Sequence, residues 1–79
     1  MKVIGQIPHD HLNITVFQMG TKYALKFEIG PFEQWFRFVE SSKITGFKSI
    51  EHLINEGTLK KVFLIFDQMN ALYKDLNNE

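Results

Sequence analysis

The chain has no cysteine. That excludes a disulfide framework, thiol catalysis and any zinc site built on thiolates, and a domain that folds without such staples fits a reducing compartment. It also lacks an excess of either charge, since nine basic residues balance nine acidic ones. Domains that grip phosphate backbones usually carry a clear positive surplus, so balance disfavours nucleic acid as the principal partner. No stretch approaches the ~20 apolar residues of a membrane span, and the start, Met1-Lys2-Val3-Ile4-Gly5-Gln6-Ile7-Pro8, has no continuous apolar run of the secretory kind. These features together predict a cytoplasmic protein with no membrane contact. Repeats, low-complexity tracts and interdomain linkers are absent as well. There is no Gly-rich phosphate loop, nucleophile elbow or His-Glu-x-x-His pattern, so the expectation is a chain that is not an enzyme and carries no cofactor.

What the chain does have is bulky core material. Of 79 residues, 44% are apolar and 14% aromatic, with eight Phe. This length supports a single α+β domain spanning 1–79, and the composition argues against disorder. A chain so short buries only about 60% of the surface its unfolded form exposes, which leaves apolar surface for a partner and little room for a large cavity.

The front half alternates. In Lys22-Tyr23-Ala24-Leu25-Lys26-Phe27-Glu28-Ile29 the residues Tyr23, Leu25, Phe27 and Ile29 share one face, the period-two mark of a half-buried strand. Leu12, Ile14 and Val16 repeat it. Met19-Gly20-Thr21-Lys22 between them suits a two-residue type II′ turn, which pairs Val16 with Leu25, Ile14 with Phe27 and Leu12 with Ile29. Residues 32–39 fit a helix opened by Pro31 or a strand whose inner face holds Phe32, Phe36 and Phe38 around Gln34. The aromatic and β-branched content, and the need of a lone hairpin for a third strand, favour the strand. A further short strand around Val3 to Ile7 is compatible with the pattern.

The back half reads as helical. Ser41 to Lys48 is a polar connection. Ser49 caps a short helix presenting Ile50, Leu53 and Ile54, which Gly57 ends, and Thr58 caps a second. Val62, Ile65, Met69, Leu72 and Leu76 recur at helical spacing, widened by Leu59, Phe63, Phe66 and Tyr73, and this face is expected to lie on the sheet. The heptad-like run is too short for a sustained coiled coil but could serve a dimer in part. The expected architecture is an antiparallel three-stranded meander (β-β-β) followed by two helices packed on one face.

Ile7-Pro8-His9, Ile14-Thr15-Val16-Phe17, Lys22-Tyr23-Ala24-Leu25-Lys26-Phe27-Glu28, Phe32-Glu33-Gln34 and the late Phe66-Asp67-Gln68-Met69 resemble a group of short uncharacterised bacterial proteins over nearly the whole chain. The resemblance implies a strand after Glu33-Gln34 and carries over no activity. Trp35-Phe36-Arg37-Phe38 departs from that group in being more aromatic.

Three constellations could carry function. His9-Asp10-His11 with His52 offers imidazoles to a metal, but a closed site needs a fourth ligand and none is marked, so a polar turn explains the motif better and no metal site is assigned. Ser41-Ser42 beside Lys43 is better explained as a surface loop than as a nucleophile with a basic neighbour. The outer sheet face is the candidate binding site: Phe17, Lys22, Lys26, Trp35 and Arg37, with Val39 alongside and Lys26 opposite Trp35 at cation–π range. Such a face reads as an ordinary solvated surface, as an anchor for a protein contact, or as a stacking platform for single-stranded nucleic acid. The expected role is a small non-enzymatic protein-interaction module, self-associating or bound to another protein, with single-strand binding as the alternative and no evident small-molecule substrate.

Overall fold

The alternation of β3 orders the molecule. In the computed structural model, which describes residues 1–78, β3 (Lys22–Ile29) lies between β2 (Asn13–Met19) and β4 (Phe32–Val39) in an antiparallel sheet of order β1-β2-β3-β4. Tyr23, Leu25 and Phe27 turn inward and are almost fully buried. The expected pairs Ile14 with Phe27 and Val16 with Leu25 are present. The ladder ends at Asn13 and Glu28, so Leu12 joins the core from the loop before β2 and not as a strand partner of Ile29. Gly20 (φ 60°) and Gly30 (φ 55°) take the positive φ that the first central position of a II′ turn requires, while Thr21 and Pro31 keep negative φ. Residues 32–39 are a strand, in unbroken register with β3 from Ile29 and Phe32 to Lys22 and Val39.

The sheet has four strands, not the three of the expected meander, and the fourth is the short N-terminal strand that the pattern around Val3 to Ile7 allows. β1 (Lys2–Ile7) pairs with β2, and its register shifts between Val3 and Gly5. That bulge explains why sequence alternation undercounts the strands. Ile4 and Ile7 both pack on the core although they lie three apart, so a strict period of two never appears.

Both helices contribute to the core on the inner face, as expected, but their ends differ from the sequence reading. α1 (Phe47–Glu51) starts ahead of Ser49, whose Oγ accepts instead from the Thr45 N–H (3.1 Å). The early start brings the Phe47 ring onto Gly5, and Ile50 is fully buried. Gly57 does not end this helix. It lies in the first turn of α2 (Glu56–Asn77), which Asn55 caps by accepting from the Thr58 N–H (2.9 Å). Asn outranks Thr as an N-cap, so Thr58 becomes an interior first-turn residue whose hydroxyl donates to the Leu53 carbonyl (3.2 Å). The polar connection also hides Ile44 in the core, and the Tyr23 hydroxyl ties it down by donating to the Thr45 carbonyl (3.2 Å).

α2 lies on the sheet through Leu59, Val62, Phe63, Phe66 and Met69. Ile65, Leu72 and Leu76, expected on the packed face, stay 41%, 58% and 74% exposed. Twenty-two residues span roughly 33 Å, and the packed stripe keeps Val62 and Met69 of the heptad positions but turns from Ile65, Leu72 and Leu76 toward Phe63 and Phe66. Beyond Met69, Tyr73 lies edge-on against Phe32 at 5.3 Å. Among the described residues no helix is long and apolar enough to cross a membrane.

Two substitutions test this packing. A Cβ on residue 5 would land on the Phe47 ring, so Gly5→Ala should cost about 1–3 kcal/mol in chemical denaturation, and an unchanged midpoint would show that α1 is not held there. Gln34 is buried on the inner face. Its Nε2 donates to the Val62 carbonyl (3.0 Å), but among the described residues its Oε1 has no partner. A half-satisfied buried amide contributes little, so Gln34→Met should leave stability unchanged or raise it by about 1 kcal/mol, read as a rising thermal midpoint.

Candidate functional site

Among the described residues no helix covers the outer face of the sheet, and the side chains roof it themselves. Phe17 on β2 and Trp35 on β4 flank β3, whose residue in the row with Phe17 and Arg37 is Ala24. Strands two apart are separated by roughly 9–10 Å, yet the two rings stack with centroids 5.4 Å apart and an interplanar angle of 24°. Both therefore lean over β3. Ala24 is small enough to fit beneath such neighbours, and it is fully buried although it faces away from the helices.

Lys26 completes the cluster. It pairs with Trp35 across the ladder, as the sequence reading expects. Its ammonium lies 5.7 Å from the Phe17 ring centroid and 5.5 Å from that of Trp35, within cation–π range. Two carboxylates that sequence reasoning left out hold the arrangement. Glu28 Oε1 pairs with Lys26 Nζ at 3.3 Å, and Glu33 Oε1 accepts from the Trp35 indole N–H at 2.8 Å. The signal for both was present, because residues two apart on a strand share a face. Phe17, Lys26 and Trp35 thus come together and Arg37 lies at the edge of the same row, whereas Lys22 sits at the sheet's end, beside Met19 and Val39.

The outer face also opens toward β1. An open concavity of about 660 Å³ lies between Val3, Gln6, Asn13, Thr15, Phe17 and Lys26, a surface depression and not an enclosed cavity. The fourth strand creates it, by extending the sheet on the side where the three-strand reading had ended. On the inner face a narrower apolar groove of about 280 Å³ separates Phe36 and Phe38 of β4 from Leu53, Ile54 and Ile65.

The histidines part company. His9 Nδ1 accepts from the backbone N–H groups of His11 (3.0 Å) and Leu12 (3.2 Å), and its ring lies 5.8 Å from that of Phe63. It thus closes the turn between β1 and β2. His11 is its neighbour at 6.1 Å, while His52 lies at the end of α1. Among the described residues no group of three or more metal-ligating side chains forms. No family model matches the chain, and no curated protein or solved structure matches it.

Trp35 is the sole tryptophan, which makes the cluster directly observable. Phe17→Ala should expose the indole, shift its emission to the red, and cost about 1 kcal/mol beyond the lost buried area. An unshifted emission maximum would mean that Phe17 does not shield Trp35 in solution.

Proposed function

We propose that this chain is a non-enzymatic, self-associating protein-interaction module whose contact surface is β4 and the apolar side chains on either side of it. The observation that carries this reading is where the unburied apolar groups lie. Trp35, Phe36 and Val39, all on β4, are 41%, 41% and 66% exposed, and Leu53 and Ile65 border the groove beside Phe36, while a second exposed apolar group, Leu64, Leu72, Tyr73 and Leu76, runs along α2 outside this groove. Scattered surface apolar residues need no explanation, but a contiguous set along one element marks an interaction site. Trp35 and Arg37 belong to the residue types that most often anchor interfaces. The non-enzymatic part rests on the absence of any nucleophile, phosphate-loop or metalloprotease motif from the sequence.

Single-strand binding by the outer face would use the same aromatic rings. Phe17 and Trp35 spend one face each on one another, and Glu28 and Glu33 place negative charge within the cluster. Both features weigh against a platform for stacked bases and phosphates.

Sedimentation across a wide concentration range is the test. The mass should rise from the 9.3 kDa monomer towards twice that value, with only modest dependence on salt. A chain that stays monomeric up to millimolar concentration, or that binds single-stranded oligonucleotides with steep loss of affinity as salt rises, would sink the proposal.

A further inference from the structure

The sheet has two edges, and they are built differently. An edge strand presents unpaired N–H and C=O groups, which proteins usually blunt with charge, bulges, proline or a cover. β1 is blunted: it has six residues, it begins at Lys2, and its register breaks between Val3 and Gly5. β4 has eight residues, no bulge and no internal proline, and its register with β3 is continuous. The outward-facing groups can be identified. Glu40 N–H donates to the Thr21 carbonyl (2.8 Å). Hydrogen-bonded pairs alternate along an antiparallel ladder, so even-numbered residues of β4 bond to β3. The backbone groups of Glu33, Trp35, Arg37 and Val39 point away from the sheet.

We propose that the occupant of this edge is β4 of a second copy of the chain, paired antiparallel about a twofold axis between the two Trp35 residues, giving one continuous sheet with four strands from each copy. This deepens the interaction-module reading and rests on it. An isologous contact of this kind must be self-complementary, and β4 is. With Trp35 opposite its own copy, Glu33 falls opposite Arg37 of the second copy, and Arg37 opposite its Glu33. Each of these residues exchanges both backbone hydrogen bonds with its counterpart. Val39 would next meet Pro31, which has no N–H, so the ladder stops there.

The side chains are prepared for this register. Glu33 uses Oε1 for the indole of Trp35, leaving Oε2 for the guanidinium across the edge. Among the described residues Arg37 has no carboxylate within ion-pair distance. The indole of Trp35 leans inward over β3 and leaves the edge clear. On the inner face Phe32 falls opposite Phe38, and Phe36 opposite Gln34, which covers the half-exposed Phe36 ring. Moving the axis to Glu33 or Arg37 would set like charges face to face, and moving it to Phe36 would put Glu33 against Val39 and lose both ion pairs. Charge therefore selects the register centred on Trp35.

Hydrogen exchange on the self-associated protein tests the edge, and charge reversal tests the register. The amides of Glu33, Trp35 and Arg37 should become protected as concentration rises. Arg37→Glu should weaken association by about tenfold or more, because it creates two like-charge contacts. The double variant Glu33→Arg, Arg37→Glu should restore it. Arg37→Pro should keep the monomer's circular dichroism, since that N–H is unused within the chain and edge strands tolerate proline there, and it should abolish association. A dimer whose amides at 33, 35 and 37 exchange as fast as in the monomer overturns edge pairing while leaving self-association intact. A double variant no better than Arg37→Glu overturns the register. A chain monomeric at every concentration overturns this inference and the interaction-module reading together.

Discussion

β3 is hydrogen-bonded on both sides, so the direction of its side chains fixes everything beside it. Tyr23, Leu25 and Phe27 are buried inward, and a one-residue slip of either neighbour would throw that strand's apolar set onto the wet face. Two tight turns, at Gly20 and Gly30, allow no such slip. The inner surface of β2 to β4 is therefore set by the register of the sheet itself, and the helices cover a layer whose pattern the strands define. The same pleat places Ala24, Lys26 and Glu28 outward in one row, with Ala24 as the low point over which the rings of Phe17 and Trp35 meet.

This is why the central hairpin and β4 were legible in the sequence while the borders were not. Alternation at a period of two is a strong signal where register is regular, and it gave the pairs Ile14 with Phe27 and Lys26 with Trp35 correctly. β1 carries a bulge, which breaks the period and masks the strand. The helix ends depend on which of several polar residues caps, and Asn55, the stronger N-cap residue type, takes the position three residues ahead of Thr58. Ile44, a lone apolar residue among polar ones, has no periodicity at all. In α2 the spacing of Val62, Ile65, Met69, Leu72 and Leu76 is real, but helical spacing does not say which flank meets the sheet. Packing chose the stripe through Phe63, Phe66 and Tyr73.

For the candidate site, the basic and aromatic members were readable and the acidic ones were overlooked. Phe17, Lys26 and Trp35 stand out as apolar or cationic groups on a face expected to be wet. Glu28 and Glu33 look like ordinary solvated carboxylates until their partners are known. Their effect is electrostatic as well as structural. They turn what reads as a basic aromatic patch into a balanced cluster, in which Lys26 is already paired and the Trp35 indole already bonded. The neutrality of the whole chain is thus repeated locally.

A sequence that specifies one structure usually satisfies pattern, packing and polar pairing together, and violations gather where function is. Here one group of them lies on β4, apart from the exposed leucines of α2. β4 holds Gln34, whose oxygen has no partner among the described residues, in an otherwise apolar layer, an inward phenylalanine that is 41% exposed, and an unblunted edge. None of these defects occurs on β2 or β3, which share its sheet and turn chemistry. A strand that served only to finish the core could shed each fault by ordinary substitution. The edge would tolerate a proline at 37, where the backbone N–H is unused within the chain. β4 instead keeps long, regular, aromatic character with one acid and one base placed symmetrically about Trp35. That combination is complementary to itself, which is the physical reason for placing the proposed partner on this strand and not on the wider concavity beside β1.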